Sequence, residues 1–304
     1  MIEQSVGWAL ATVLPHSADA RVVGWITALW QRTKAVEFHK VVARMQAALP
    51  GRFDEQSATA LMSEWYRRRA EMTWGRLRNL HRSGWKIQLE TEGLEHLAAA
   101  RENGKGVVVW YMSFCESFLM MRAMAEAGVP VGHLSLYSHG VPGRSRFGFA
   151  TAGRMYRAAE NRYLQSRVVM RNRTSPGYFK QLGALLGTNH AVTVRGDLVA
   201  TGSPVQAPCL GGECAFASGA ARLAFQSGAP LLTAYAQRVA PFHYRVVIEE
   251  AISADRTQKK LFVTDAVAEY GRRLNAQLAE NSPDWEGWWS VHALVSSPEA
   301  TERR

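Results

Sequence analysis

The feature that most constrains this chain is a short apolar run that ends at a polar segment. The run spans residues 107–111, Val-Val-Val-Trp-Tyr, and follows two closely spaced glycines. It is too short for a helix and rich in β-branched side chains, which is typical of a buried strand in an α/β sheet. Ser113 and Glu116 follow in the Ser-x-x-Glu pattern of a capping box, which predicts that a helix begins at Ser113. A strand that leads into a helix places side chains at the carboxyl edge of a sheet, where α/β proteins bind ligands.

The remaining chain alternates between strand and helix patterns. Strands are predicted at residues 87–89, 129–137, 168–170, 191–195, 204–210, 231–238 and 244–248. Helices are predicted at residues 53–85, 94–100, 149–164, 177–186, 218–226 and 264–281. This alternation predicts an α/β fold with a mainly parallel central sheet flanked by helices and a helical N-terminal region. We interpret residues 1–90 as helices packed on the core and residues 91–304 as the α/β core, together forming one structural domain.

The chain carries a large positive charge. It has 36 Lys and Arg residues against 26 Asp and Glu residues, a formal net charge of +10. Such a surplus attracts anionic partners, among them phosphate groups, acidic lipid headgroups and acidic carrier proteins. The arginines are spread along the chain without the basic block of a nucleic-acid tail, so nucleic acid is not an expected partner.

The N-terminal helical region suggests contact with a membrane surface. Its apolar stretches around Trp8 and Trp25 are shorter than the ~18 residues that a membrane span needs, and no signal-peptide pattern is present. Tryptophans beside basic residues suit a helix in a membrane interface, although packing onto the core explains them equally well. The basic run 67–69 fits a solvated helix face, with a lipid- or carrier-contacting patch as the alternative. We expect a cytoplasmic protein that is peripheral on the inner membrane.

Three cysteines, Cys115, Cys209 and Cys214, form neither a Cys-x-x-Cys pair nor a zinc-binding spacing with histidine. A sparse, odd set of this kind fits a reducing compartment better than a disulfide framework. We therefore expect packed thiols and no metal site.

Several sequence blocks occur in the order typical of one family. They are Tyr111–Glu116, Arg195–Asp197, Pro208–Gly211, Ala217–Ala224, Ser227–Arg238 and Pro283–His292. On these blocks, from about Leu94 to Leu294, the chain resembles the lysophospholipid acyltransferase superfamily, in particular the bacterial late acyltransferases of lipid A biosynthesis. That family carries a His-x4-Asp/Glu motif, of which Glu116 keeps the acid while Tyr111 stands in place of the histidine. The family's Asp-Gln pair is matched by Asp197 alone.

The resemblance implies a glycerolipid acyltransferase-like fold and transfer of an acyl group from an acyl-carrier-protein or coenzyme A thioester, with no other cofactor. In the family, the histidine is the general base and the acid orients it. Tyr111 cannot simply replace that base, because a phenol with a pKa near ~10 is only about 0.1% ionised at pH 7. Three alternatives follow: Glu116 is the base, His139 replaces the histidine, or the site only binds.

Other residues complete the candidate site. One hypothesis is that the thiol of Cys115 is a nucleophile that forms an acyl-enzyme intermediate. Arg144 and Arg146 follow a glycine-rich turn and suit a phosphate clamp. Ser113, Asp197 and Arg222 are further substrate-binding candidates, Asp197 because of its family position.

The candidate functions fall into three classes. The first is acyl transfer to an amine or hydroxyl acceptor. Loss of the motif histidine penalises an amine less, because an α-amino group with a pKa of about 8 is partly neutral at pH 7. The alternatives are an inactive homologue that binds lipid or acyl chains, and an aminoacyl transferase.

Overall fold

The computed structural model describes residues 2–81, 84–137, 152–170, 177–197 and 204–295. Its helices are α1 (Ile2–Val13), α2 (Asp19–Thr33), α3 (Ala35–Ala48), α4 (Glu55–Arg78), α5 (Leu94–Arg101), α6 (Ser117–Glu126), α7 (Ala152–Glu160), α8 (Gly177–Gly187), α9 (Gly219–Ser227), α10 (Lys259–Asn281) and α11 (Val291–Leu294). Its strands are β1 (Gln88–Glu92), β2 (Val107–Tyr111), β3 (Val131–Leu136), β4 (Ser166–Met170), β5 (Ala191–Arg195), β6 (Val205–Cys209), β7 (Gly212–Phe216), β8 (Leu231–Ala240) and β9 (His243–Ala251).

Within these residues, seven strands form one sheet in the order β1-β9-β8-β2-β5-β3-β4. All neighbouring pairs are parallel except the hairpin of β8 and β9. Strand β2 lies in the middle of the sheet between β5 and β8, and each of its five residues is buried. A strand covered on both faces needs a continuous apolar run, which is what residues 107–111 supply. The α/β fold with a mainly parallel sheet is confirmed.

The N-terminal helices assemble around α4, which contacts α1, α2 and α3. Arg78, in the last turn of α4, donates hydrogen bonds to the carbonyl oxygens of Ala11 (2.6 Å) and Leu14 (2.8 Å) at the end of α1. Its Nε also donates to Asp19 Oδ1 at the start of α2, at 2.9 Å. One buried guanidinium thus satisfies the terminal carbonyls of one helix and joins it to the next.

Some local predictions were wrong. Helix α6 begins at Ser117 rather than Ser113, and Glu116 occupies the N-cap position without a side-chain capping bond. The capping box does not form because the Ser113 side chain bonds to Asp197 instead. Strand β7 was not predicted, although it pairs with β6 in a separate antiparallel ribbon.

None of the described helices combines the length and the apolar character needed to cross a bilayer.

Candidate functional site

The candidate site lies at the carboxyl edge of the central sheet. The neighbouring strands β2 and β5 end at Tyr111 and Arg195, which are register partners. The loop after β2 carries Ser113 and Glu116, and the loop after β5 carries Asp197. Parallel strands therefore bring these predicted site residues to one edge, as the sheet topology requires.

Asp197 is a fully buried anchor rather than an open functional group. Its carboxylate accepts hydrogen bonds from the Ser113 amide (2.9 Å), the Trp285 indole (2.6 Å) and Arg195 Nε (2.9 Å), and also from the Ser113 hydroxyl. The Ser113 Oγ in turn accepts a hydrogen bond from Arg195 at 2.7 Å. A buried carboxylate satisfied by several donors holds its surroundings in place. Asp197 and Ser113 thus position the β2–α6 loop.

Glu116 binds two arginines of α4. Its side chain is only 7% exposed, and its Oε1 pairs with Arg76 and, at 3.3 Å, with Arg69. The two arginines are seven residues apart and so lie on the same face of α4. The expectation of a solvated basic face at residues 67–69 is therefore wrong for Arg69, and Arg68 is likewise bound to Asp284 at 2.9 Å.

Glu286 completes this arrangement, although the sequence analysis did not single it out. Its carboxylate pairs with Arg69 and, at 3.2 Å, with Arg195. Burial opposes ionisation of Glu286, but the nearby guanidiniums of Arg69, Arg195 and Arg76 outweigh that cost and hold its pKa below the ordinary value. The sequence did carry a signal for Glu286, because this acidic residue lies among the tryptophans of residues 285–289. A charged residue in an apolar segment needs partners.

We refer to these six residues as the charge cluster. They are Arg69, Arg76, Glu116, Arg195, Asp197 and Glu286. Three guanidiniums face three carboxylates, so the side chains of the cluster balance one another in charge. Within the cluster, both Arg69 and Arg76 bind the Oε1 atom of Glu116.

Tyr111 is buried beside the charge cluster. Burial raises the pKa of its hydroxyl well above the usual range, and the nearby Arg195 only partly opposes this effect. The phenol therefore remains protonated at neutral pH and can donate a hydrogen bond to a bound group. Its ring centroid lies 6.2 Å from that of His133.

Cys115 does not have the surroundings of a reactive thiol. Its side chain is buried, and burial, reinforced by the carboxylate of Asp284, raises the pKa of the thiol well above its ordinary value. Its backbone has a φ of 54°, and its amide donates to the carbonyl oxygen of Asp284 at 2.9 Å. Because the thiolate is the nucleophilic form, these features argue against an acyl-enzyme at Cys115.

Two cavities meet at the charge cluster. The larger, of about 950 Å³, has a mainly apolar wall formed by residues that include Leu10, Val22, Trp25, Ile26, Leu29, Trp30, Trp65, Trp74 and Leu77. The smaller, of about 190 Å³, is lined by residues that include Tyr111, Ser113, Cys115, Glu116, Ser117, His133 and Glu160. Arg76, Tyr156, Arg195 and Glu286 line both. A mainly apolar space thus adjoins a polar space at the carboxyl edge of the sheet.

Comparison with known proteins adds no assignment. No protein-family model matches this chain, and no curated protein matches it.

The remaining site candidates are not part of this arrangement. His139, Arg144 and Arg146 lie outside the described residues. Arg222 is half-buried on α9 and lines neither of the two cavities. Within the described ranges, no group of three or more His, Cys, Asp or Glu side chains is arranged to hold a metal ion.

Sequence reasoning missed Arg76, Glu286 and His133. Arg76 follows Arg69 by two helical turns, so a helical projection of α4 would have placed both arginines on one face. His133 lies within a predicted strand, where a histidine among apolar residues marks a buried polar group that needs a partner.

Proposed function

We propose that this protein is an acyltransferase that moves an acyl group from an acyl-carrier-protein or coenzyme A thioester to an amine or hydroxyl acceptor. The observation that carries the proposal is the junction of the apolar cavity with the polar cavity at the charge cluster. A volume of about 950 Å³ lies within the ~300–1,000 Å³ range of small-molecule pockets. Each methylene group buried there contributes roughly 0.8 kcal/mol, so an acyl chain is a suitable occupant.

In the proposed reaction, the acyl chain occupies the larger cavity and the thioester lies at the charge cluster. The acceptor nitrogen or oxygen attacks the carbonyl carbon, the carbon–sulfur bond breaks, and the thiol leaves with a proton. Negative charge develops on the carbonyl oxygen during the attack. The guanidiniums of Arg76 and Arg195 and the protonated hydroxyl of Tyr111 are suitable donors to that oxygen.

The acceptor class depends on how its proton is removed. An α-amino group with a pKa of about 8 is roughly one-tenth neutral at pH 7, whereas a hydroxyl acceptor needs a base in the transition state. General-base assistance typically contributes about 10²–10⁴-fold to the rate. The engaged carboxylate of Glu116 supports an amine acceptor, unless another group of the site serves as the base.

The test is the release of free thiol from a panel of acyl thioesters, in carrier-bound and coenzyme A forms, with matched amine and hydroxyl acceptors. Products are identified by mass spectrometry, and aminoacyl thioesters are included in the panel. Thiol release that depends on the acceptor supports the proposal. Release no faster than the buffer background with every pair overturns it.

A pocket variant tests the place of the acyl chain. Thr73 lines the larger cavity, so Thr73→Phe is expected to shift the preference toward shorter chains while short-chain turnover persists. Ala60→Phe, at an exposed position of the same helix, is the matched control and should leave the preference unchanged. If the two variants show the same preference for acyl-chain length, the acyl chain binds outside the larger cavity.

A non-catalytic acyl-chain or lipid-binding protein is the second candidate. The observation that favours it is the charge balance of the cluster, in which the carboxylates are already paired with arginines. An acyl chain retained in native mass spectrometry, together with no thiol release, would support this function over transfer.

A further inference from the structure

His133 is a buried histidine at the candidate site that lies outside the charge cluster. It lies on β3 with 2% of its surface exposed. Its side chain lines the smaller cavity together with Tyr111 and Glu116. A histidine in a polar cavity beside a degenerate catalytic motif is a candidate acid–base group.

A hydrogen bond between the ring of His133 and Thr193 orients the imidazole. Its Nδ1 lies 2.8 Å from Thr193 Oγ1, and that hydroxyl lies 3.3 Å from the carbonyl oxygen of Gly132. The hydroxyl has one proton, and when it donates that proton to the carbonyl, it accepts a hydrogen bond from a protonated Nδ1 of His133. In that tautomer of the neutral ring, Nε2 carries the basic lone pair.

The sheet places this imidazole close to the motif position. Strand β5 lies between β2 and β3, with Tyr111 paired to Arg195 and His133 paired to Thr193. Because Thr193 and Arg195 are two residues apart on one strand, Tyr111 and His133 project from the same face of the sheet. The 6.2 Å separation of their rings follows from this register.

We propose that His133 is the general base of the transfer, acting in place of the histidine that the motif lacks at position 111. The assignment rests on the proposed function. The acceptor's proton passes to His133 Nε2 as its nitrogen or oxygen attacks the thioester carbonyl carbon. The carbon–sulfur bond then breaks, and the imidazolium returns the proton to the leaving thiolate. Thr193 holds the ring in orientation through both steps.

The main test is His133→Asn, assayed by thiol release with a hydroxyl acceptor. The Asn amide can still donate to Thr193 but has no basic nitrogen, so turnover is expected to fall by about 10²–10⁴-fold while KM for the thioester changes little. The matched control is His243→Asn, which replaces a histidine on β9 that is bound to Glu90 at 2.7 Å. It should leave turnover within a few-fold of wild type.

A second variant tests the base by restoring the motif. Adding Tyr111→His to His133→Asn returns an imidazole to the family position and is expected to recover turnover by at least about 10-fold over His133→Asn alone. A merely structural role for His133 would not produce this recovery.

The outcomes separate the two proposals. Turnover of His133→Asn within a few-fold of wild type overturns the assignment of His133 and leaves the acyltransferase function standing. Absence of thiol release by the wild-type protein overturns both. If His133→Asn does not fold, Thr193→Val replaces it, because it keeps the imidazole and removes the oxygen that orients it. Turnover is then expected to fall by at least about 10-fold. Unchanged turnover would contradict the assignment of His133 as the general base.

Discussion

At the scale of single residues, Glu116 shows how the candidate site is held together. Its carboxylate joins the sheet edge to α4 through Arg69 and Arg76, while Glu286 joins Arg69 to Arg195. Removing one member of such a partly buried network leaves its partners desolvated and unpaired. The same residues therefore determine both the stability of the edge and the shape of the cavities beside it.

We expect Glu116→Gln to lower the free energy of unfolding and to remove most acyl-transfer activity. The variant leaves Arg76 without its carboxylate, and a double-mutant cycle with Arg76→Gln should give a coupling energy of roughly 1–3 kcal/mol by chemical denaturation. Additive effects of the two substitutions would show that the pair contributes nothing beyond its separate contacts. Activity within a few-fold of wild type would limit Glu116 to a structural role.

At the scale of elements, α4 links the N-terminal helices to the sheet. Arg78 anchors α1 and α2, and Arg69 and Arg76 reach the candidate site. The buried carboxylate of Glu71 binds Arg238 of β8 at 2.8 Å and accepts a hydrogen bond from the Phe242 amide at 2.9 Å. A displacement of α4 would therefore disturb the N-terminal helices, the β8–β9 hairpin and the charge cluster together.

Gly75 allows α4 to pack closely against Trp85. A Cβ at this position would lie 2.4 Å from ring atoms of Trp85, which is itself buried. We expect Gly75→Ala to destabilise the protein by about 1–3 kcal/mol, because overpacking outweighs the gain of about 1 kcal/mol in helix propensity.

The matched control for Gly75→Ala is Gly24→Ala on α2, where a Cβ would meet nothing within 4 Å. That substitution should stabilise the protein by up to about 1 kcal/mol through helix propensity alone. Thermal and urea unfolding of both variants measure the difference. Equal shifts in the two variants would contradict the packing argument.

At the scale of the whole molecule, we expect charge and exposed apolar groups to favour contact with an anionic bilayer. The net charge is +10, and the N-terminal helices expose Trp25 (68%), Leu29 (48%) and Val36 (70%). Trp25 and Leu29 also line the larger cavity. This surface is therefore a suitable place for a lipid or acyl chain to enter from a membrane.

We expect the protein to co-sediment with vesicles that contain anionic lipid and to be released by high salt or alkaline carbonate, because binding depends on charge and on shallow apolar insertion. Replacing Trp25 and Leu29 with serine should weaken binding by about 10-fold or more, since each large side chain contributes on the order of 1.5–3 kcal/mol when buried. The control replaces Val239 and Leu261, two exposed residues elsewhere, with serine. Extraction only by detergent, or equal losses in the two double variants, would contradict this mode of binding.

Local sequence patterns determined most of the fold. Strands β2 and β5 have the predicted bounds, 107–111 and 191–195, because short β-branched runs between polar or glycine residues carry their own signal. The position of Ser113, Glu116 and Asp197 at one sheet edge also followed from the sequence, because parallel strands end on the same side.

The partners of those residues were decided by the tertiary structure. Glu116 binds arginines 40 and 47 residues earlier in the chain, and Ser113 bonds to Asp197, 84 residues later, instead of capping α6. A local capping rule cannot anticipate this choice, because the buried carboxylate of Asp197 needs donors that the loop supplies. The proximity of His133 to Tyr111 likewise depends on the insertion of β5 between β2 and β3, a long-range pairing that no local pattern encodes.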